Sequence, residues 1–260
     1  MNIKNLLKKY LPIKVVTRIR AYREARAHRS RMSTFARMGR TEAFSRIYQN
    51  GEWGSLDGAS FYSGGGSNTQ EIVDLYLSAV KGFVKRLGYK PTIVDIGCGD
   101  FSVGSRLVED ASHYTACDLV PDLIHHLSEK FHSSNLTFQV LDVCEEVPPS
   151  GDVLFLRQVL QHLTNQDIKR ALSNINGRFR YLILTEHLPA GDFKPNKNKN
   201  LGPGIRISLG SGVVITDPPF LFGVEEEERL VEVGVPNGVI RTTAYTLASV
   251  GIDEVPRLQE

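Results

Sequence analysis

The stretch that most constrains the fold is Thr92–Gly99, with the sequence TIVDIGCG. Its first five residues are mostly β-branched or apolar, which is typical of a strand buried in a parallel sheet. The turn Gly97-x-Gly99 follows, and apolar residues then recur at helical spacing over 103–108. Glycines let the backbone approach a ligand closely, and the start of a helix offers free N–H groups. Strand, glycine turn and helix in this order predict a nucleotide-type binding site.

Strands and helices alternate along the rest of the chain, which predicts an α/β fold with a doubly wound parallel sheet. The predicted strands lie at 92–96, 113–117, 136–141, 152–156 and 181–185, and helices are predicted over 70–87, over 121–130 and after Asn165. Asn68 to Glu71 have a capping-box-like spacing, and Gly88 ends the first of these helices. Segments 229–233 and 239–245 flank a Pro-Asn-Gly turn, which predicts an antiparallel C-terminal hairpin.

The glycine turn departs from the dinucleotide-binding pattern, because Phe101, Ser102 and Val103 follow it and no third glycine is in place. Asp95 lies at the end of the strand, and the pattern Asp-x-Gly-x-Gly instead resembles the first motif of class I S-adenosylmethionine (SAM) methyltransferases. A parallel sheet that closes with an antiparallel hairpin resembles the Rossmann-like fold of the same family. The resemblance implies that SAM is the cofactor.

Two further acids follow the next two predicted strands. Asp118 lies 23 residues after Asp95, and Asp142 lies 24 residues further on. The two carboxylate oxygens of Asp118 can accept both hydroxyls of a ribose, and its position resembles the ribose-binding acid of the family. The resemblance implies that Asp142 accepts from the adenine amino group; helix capping is the alternative for each acid. The predicted cofactor-binding residues are Asp95, Gly97, Cys98, Gly99, Asp118, Leu119, Asp142, Val143, Arg157 and Gln158.

The run Arg157 to Thr164 resembles the region after the fourth strand in small-molecule methyltransferases. Gln158 is predicted to touch the methionine part of SAM, and on a helix it would share a face with His162. Imidazole titrates near neutral pH, so His162 is predicted to take the proton of an attacking hydroxyl; a structural histidine at a helix end is the alternative. Glu186 and His187, which follow the fifth strand, are further candidate catalytic bases.

The acceptor side is predicted in two segments that flank the core. Residues 41–68 are glycine-rich yet carry Trp53, so we interpret them as a lid; packing of Trp53 against the N-terminal segment is the alternative. Residues 186–228 form an insertion with several cations, which suit an anionic acceptor, although solvated charge is the alternative. Asp217-Pro218-Pro219-Phe220 resembles an amino-methyltransferase motif but follows the wrong strand, so we interpret it as a rigid turn. The predicted substrate-binding residues are Trp53, Tyr62, Ser63, Arg206 and Phe220.

Charge is distributed unevenly between the N-terminal segment and the rest of the chain. Residues 1–40 carry twelve Lys or Arg and one acid, a net charge of +11, which leaves −9 for the rest of the chain. Apolar residues recur at helical spacing among these cations, so the segment is predicted to be an amphipathic arm. Residues 1–30 suit peripheral contact with the inner face of an anionic membrane; packing on the chain's own body or on a partner subunit is the alternative.

No apolar run approaches the ~20 residues needed to span a bilayer, and no secretory signal is evident. The three cysteines have no metal-ligand spacing and suggest a reducing compartment, so we expect a cytoplasmic protein without a metal. The predicted organisation is a basic arm at 1–40, a lid at 41–68, and a SAM-binding domain at 69–250 with the insertion at 186–228.

Three sets of motifs resemble a group of bacterial methyltransferases of surface-polysaccharide pathways: Trp-Gly at 53–54 and Ser-Gly-x-Gly-Ser at 63–67 before the core, the run 157–163 inside it, and Pro-Pro-Phe at 218–220 after it. This resemblance spans about residues 45–250. The predicted function is therefore SAM-dependent methylation of a hydroxyl on a small molecule, a saccharide or a sugar phosphate. Two alternatives stay open, a non-catalytic SAM-binding scaffold and a methyltransferase that acts on a macromolecule at the membrane. A nucleic acid partner is disfavoured because no known nucleic-acid-binding module accompanies the basic arm, and a homodimer is left open.

Overall fold

A computed structural model describes residues 37–55 and 60–248, together with the isolated positions 15, 17, 18, 22, 34 and 35. The membrane-contact prediction for residues 1–30 therefore lies almost wholly outside the described residues. The described chain forms one seven-stranded sheet with strand order β3-β2-β1-β4-β5-β7-β6. The strands are β1 (Thr92–Ile96), β2 (His113–Asp118), β3 (Leu136–Val140), β4 (Gly151–Arg157), β5 (Phe179–Leu188), β6 (Val224–Val235) and β7 (Gly238–Leu247).

The helices and their buried faces confirm the predicted α/β class. The α-helices are α1 (Arg40–Gln49), α2 (Gly65–Asn68), α3 (Gln70–Arg86), α4 (Pro121–Lys130) and α5 (Asn165–Ile175), and the 3-10 helices are Gly104–Asp110, Leu160–His162 and Arg206–Leu209. In α5 the buried apolar residues Ile168, Ala171, Leu172 and Ile175 recur at spacings of three and four, as burial of one helical face requires. Thr164 caps this helix by accepting from the backbone N–H of Asp167.

The first five strands are parallel, and β7 joins β5 in the antiparallel sense. β1 is the central strand, because it pairs with β2 on one side and with β4 on the other. The strand order reverses at this point, so the carboxyl ends of β1 and β4 diverge and leave a crevice. The predicted terminal hairpin is confirmed, with β6 and β7 paired across the turn Pro236-Asn237.

Three local predictions were wrong in detail. The segment after the glycine turn is a 3-10 helix from Gly104 rather than a regular α-helix. No side-chain capping bond forms at the start of α3, because the Thr69 hydroxyl donates back to the carbonyl of Gly65 instead. Gln158 has a φ of 59° and lies outside the short 3-10 helix that contains His162, so the two residues share no helical face.

Residues 189–223 are held in place by buried polar side chains rather than by long helices. Asn196 donates to the carbonyls of Val214 and Pro218, and the Ser211 hydroxyl donates to that of Lys194. These bonds satisfy backbone carbonyls in a segment with little secondary structure. No helix in the described part of the chain combines the length and the apolar character that crossing a membrane requires.

Candidate active site

A cleft of about 1060 Å³, part of it open to solvent, lies at the carboxyl ends of the parallel strands, where β1 and β4 part. All ten predicted cofactor-binding residues line it, from Asp95 to Gln158, and so do His162, Trp53 and Ser63. They come together because the strand register aligns the ends of β1, β2 and β4 and brings the β3–β4 loop beside them. Open α/β sheets bind ligands in this position.

The glycine turn packs so tightly that no side chain fits. Gly97 and Gly99 have φ values of 73° and 58°, in the left-handed region that glycine favours. A Cβ on Gly97 would lie 2.4 Å from Cγ2 of Val159, and one on Gly99 would lie 2.4 Å from Oγ of Ser63. The N–H groups of Gly97 and Cys98 both donate to the carbonyl of Cys117, which ties the turn to β2.

Asp95 and Asp118 are buried beside this turn. The Tyr114 hydroxyl donates to Asp95 at 2.8 Å, and the N–H groups of Gly99 and Val120 donate to Asp118 at 3.3 and 3.1 Å. Burial raises the pKa of each carboxyl to about 6, and hydrogen bonds to the charged forms limit the shift. Both are therefore largely ionised at pH 7, as acceptors for ribose hydroxyls or an ammonium group must be.

Asp142 lines the opposite part of the cleft and is ion-paired. Nε of Arg40 donates to its Oδ2 at 2.8 Å, and the backbone N–H of Cys144 donates to its Oδ1 at 3.0 Å. Arg40 is the first residue of α1, so this pair fixes one end of that helix at the cleft. Each carboxylate oxygen retains a second acceptor position for a ligand.

His162 lines the cleft and is buried against the aromatic rings of Trp53 and Phe44, with ring centroids 5.0 and 6.4 Å away. Burial, with a contribution from the positive charge of Lys199, lowers its pKa to about 3, so the imidazole is neutral at pH 7. Within the described residues its buried Nδ1 atom makes no hydrogen bond of good geometry, although backbone groups of Gly202 and Gly204 favour the charged form of the ring. A neutral imidazole at a ligand cleft can form a hydrogen bond to an acceptor group.

The other two predicted bases lie elsewhere, which corrects their assignment. Among the described residues that line the cleft, neither Glu186 nor His187 is present. Glu186 is buried on β5, and in the described part of the chain neither of its oxygens makes a hydrogen bond of good geometry. Burial raises its pKa to about 8, although the positive charge of Arg206 and nearby backbone N–H groups of residues 160 and 161 favour the charged form. Gln161 separates His187 from His162, since its side chain lies 3.4 Å from the His187 N–H and from the His162 ring.

Three of the five predicted substrate-binding residues also lie off the cleft, namely Tyr62, Arg206 and Phe220. Arg206 is fully buried, and its guanidinium donates to the carbonyls of Lys197, Leu160 and Leu163 and to the side chain of Asn165. It therefore holds the insertion against the start of α5 and is not available to an anionic acceptor. Phe220 packs against the core within the turn that begins at Asp217.

The sequence predicted a lid at residues 41–68 but not that its first part is helix α1. Arg40, Phe44 and Tyr48 of α1 line the cleft, and Asn68 and Asp100 line its other end. Phe44 and Tyr48 are four residues apart, a spacing that signals one helical face. At the far end Asp100 accepts from the Ser63 N–H and the Asn68 side chain, each at 3.0 Å. Residues 40–55 and 60–68, hereafter the roof, thus attach to both sides of the cleft.

A family model described as "Methyltransferase domain" matches residues 94–180. This part of the chain is therefore identified as a methyltransferase domain. The matched range begins within β1 and ends within β5, so it covers the strands that build the cleft. No curated protein gives a significant match. Within the described residues, no group of three or more potential metal ligands comes together.

Solved structures with the same fold are distant in sequence. The 1,6-didemethyltoxoflavin-N1-methyltransferase of Burkholderia thailandensis is 17% identical, with a TM-score of 0.51 over 80% of this chain and 87% of that one. The magnesium protoporphyrin IX methyltransferase of Synechocystis is 15% identical, with a TM-score of 0.49 over 80% and 93%. The bifunctional kinase-methyltransferase WbdD is 16% identical, with a TM-score of 0.48 over 69% and 40%. The first of these shows that the methyltransferase fold is shared.

The methyl donor of this domain is SAM, and the cleft residues fit its chemistry. A glycine turn that a Cβ would fill lets backbone approach the ligand, and a buried ionised Asp118 suits the hydroxyls of a ribose. Asp142 provides free acceptor positions on the other side. The chain is therefore a SAM-dependent methyltransferase.

Proposed function

We propose that this methyltransferase transfers the methyl group to a hydroxyl of a small molecule or saccharide, with sugar phosphates included. The observation that carries the proposal is His162, whose neutral imidazole lies at the cleft wall and whose Nδ1 makes no hydrogen bond of good geometry in the part of the chain that the structure describes. The ring of Trp53 and the hydroxyls of Tyr48 and Ser63 line the same cleft. They supply the mixture of apolar and hydrogen-bonding surface that a polar ring-containing acceptor needs. The motif resemblance to methyltransferases of surface-polysaccharide pathways supports the saccharide class.

SAM when bound supplies an electrophilic methyl group on a good leaving group. The protein's task is then to align the attacking oxygen and to exclude water. The roof covers the cleft, so it excludes water and helps to align the attacking oxygen. His162 accepts a hydrogen bond from the acceptor hydroxyl and orients it. A base with a pKa of about 3 suffices, because an oxygen that is being methylated becomes strongly acidic and loses its proton readily.

Calorimetry with S-adenosylhomocysteine (SAH) tests the cofactor site first. We expect Asp118→Ala to weaken SAH binding at least about 100-fold, because two charge-assisted hydrogen bonds are lost. Asp122→Asn is the matched control, since Asp122 is exposed at the start of α4 and should leave affinity unchanged. Undiminished binding by Asp118→Ala would contradict the site.

A turnover assay tests which class of acceptor is methylated. Labelled SAM and a small-molecule extract, with sugar and sugar-phosphate fractions separated, should give a methylated hydroxyl product with the wild-type chain. His162→Ala should lower kcat about 10²-fold or more with little change in SAH affinity. Activity on macromolecular fractions alone would favour the membrane alternative. Tight SAH binding without a methylated product would favour the scaffold.

The basic segment supports a second, independent proposal about location. Residues 1–30 carry many cations at helical spacing with apolar residues, and we propose that they bring the enzyme to an anionic membrane surface. The observation that supports this proposal is the difference in net charge between the basic N-terminal segment and the acidic remainder of the chain.

A further inference from the structure

Arg40 joins the roof to three acidic residues in two other parts of the chain. Nε donates to Asp142 at 2.8 Å, one terminal nitrogen donates to Asp167 at 2.7 Å, and the other donates to Glu145. The arginine and Asp142 side chains are only 14% and 17% exposed, so solvent screens this pair less than a surface pair. Burial alone would lower the pKa of Arg40, but its hydrogen bonds to Glu145 and Asp142 raise it above its usual value.

The three acids do not depend on Arg40 equally. Asp167 is also held by the Thr164 hydroxyl at 2.7 Å, within the cap of α5. Glu145 also pairs with Arg170 at 3.3 Å. In the described part of the chain, Arg40 is the cation that forms an ion pair with Asp142. Loss of Arg40 would therefore leave Asp167 and Glu145 with partners but would remove the counter-charge of Asp142.

Of the three acids that Arg40 contacts, Asp142 is the one that lines the cleft. It lines the cleft together with Leu141 and Val143, whereas neither Glu145 nor Asp167 belongs to the described residues of the lining. The guanidinium occupies one acceptor position on Oδ2, and its planar geometry restricts rotation of the carboxylate. The remaining acceptor positions are thereby held in one orientation toward the cleft.

We propose that Arg40 is a positioning residue, which orients Asp142 so that it reads the exocyclic amino group of the cofactor's adenine. The proposal rests on the proposed adenine-binding role of Asp142. Arg40 is the first residue of α1, and Phe44 and Tyr48 of the same helix also line the cleft. Recognition of the adenine base therefore depends on α1 being packed against the cleft. A merely structural Arg40 would affect every ligand of the cleft equally, whereas a positioning residue affects the amino group selectively.

The test compares SAH with its deaminated analogue S-inosylhomocysteine, in which a carbonyl oxygen replaces the amino group. The full-length wild type should bind SAH at least about tenfold more tightly than the analogue, because the carboxylate repels the oxygen. Arg40→Ala should reduce this ratio to about twofold or less. Glu145→Gln, a change at an exposed side chain that removes one anchor of Arg40, should reduce it partly. Calorimetry provides both dissociation constants.

Arg46→Ala is the matched control, since Arg46 lies on the same helix and, among the residues that the structure describes, forms only an exposed ion pair with Glu42. It should keep the wild-type ratio. A proportional loss of affinity for both ligands in Arg40→Ala, with the ratio preserved, would overturn the proposal and leave Arg40 as a structural tie. If Arg40→Ala does not fold, an unchanged ratio in Glu145→Gln overturns it instead. Failure of the wild type to bind either ligand would refute the cofactor site itself, which is a different outcome.

Discussion

Burial acts on three carboxyl groups of this enzyme with different consequences. Asp95 and Asp118 are buried but accept hydrogen bonds, and the pKa of each is about 6. Glu186 is buried without hydrogen bonds of good geometry in the described part of the chain, and its pKa is about 8. The first two are thus mainly ionised at pH 7 and Glu186 is mainly protonated. Desolvation raises the pKa of all three carboxyl groups, but Asp95 and Asp118 remain charged acceptors at the cleft, whereas Glu186 becomes a neutral residue of the core.

The pKa of Asp118 predicts a pH dependence of cofactor binding. Ribose hydroxyls need the ionised carboxylate, so SAH affinity should be constant above about pH 7. Below pH 6 it should fall by up to about tenfold per pH unit for each carboxyl that must ionise. Fluorescence of Trp53, the one tryptophan of the chain, measures the affinity at the cleft.

Asp118→Asn, which cannot titrate at this position, is the control and should show a shallower slope. Equal slopes in the two proteins would assign the pH dependence to another group. Because burial raises the pKa of Asp118 above its unfolded value of 3.8, protonation stabilises the ligand-free fold while it weakens binding, so the two trends oppose each other.

Glu186→Gln should stabilise the fold at neutral and alkaline pH. The folded pKa of about 8 lies above the unfolded value of 4.5, so the glutamate's contribution to stability is full below pH 4.5 and is lost as the pH rises toward 8. The free energy of unfolding of the wild type should therefore fall relative to that of the variant by up to about 1.4 kcal/mol per pH unit in this window. Urea denaturation at several pH values measures the difference.

The same variant tests the catalytic assignment. Because Glu186 does not line the cleft, Glu186→Gln should keep turnover within about threefold of wild type. A large loss of kcat with unchanged SAH affinity would return Glu186 to the set of catalytic bases.

At the scale of elements, the glycine turn and the segment after β4 are packed as one unit. Gly97 is backed by the side chain of Val159, and Gly99 is backed by Ser63 of the roof. The turn is therefore shaped by two segments that are distant in sequence. The strands that flank it could be predicted to within a few residues, because buried parallel strands carry a dense apolar signal. The 3-10 helices could not, since their short turns follow from tertiary packing and carry no periodic pattern.

Gly97→Ala should cost about 2–4 kcal/mol of stability, from left-handed strain of about 1 kcal/mol and a clash with Val159. Gly88→Ala is the matched control, because Gly88 has a φ of 77° and no atom of a described residue lies within 4 Å of an added Cβ. It should cost only about 1 kcal/mol. Val159→Ala added to Gly97→Ala should restore part of the loss in urea denaturation. Equal costs at Gly97 and Gly88 would show that the turn tolerates a side chain.

At the scale of the whole molecule, a basic N-terminal segment adjoins an acidic body. The N-terminal segment has a net charge of +11 and the rest of the chain one of −9. This contrast predicts that the protein binds anionic surfaces through its N-terminal segment and that salt weakens the binding. Vesicles that contain phosphatidylglycerol should sediment the full-length chain, and phosphatidylcholine vesicles should not. The full-length variant Lys4→Glu, Lys8→Glu, Lys9→Glu should lose most of this binding and keep SAH affinity. Equal sedimentation of the variant would remove the membrane proposal.

The sequence by itself predicted the sheet class and the terminal hairpin, and it named ten candidate cofactor-binding residues, all of which line the cleft. These depend on local signals, namely apolar strands and the polar residues at their ends, and parallel pairing then brings those ends together. Only the tertiary structure decided which side chains from other parts of the chain line the cleft. The sequence predicts Arg206 as a substrate-binding residue and Glu186 as a base, but both are buried in the interior, whereas Arg40, at the end of a basic segment, lies at the cleft. The position of a single charged residue in the sequence does not indicate which residue it will pair with. Arg40 pairs with Asp142, which lies more than 100 residues away along the chain, and only the folded structure brings the two together.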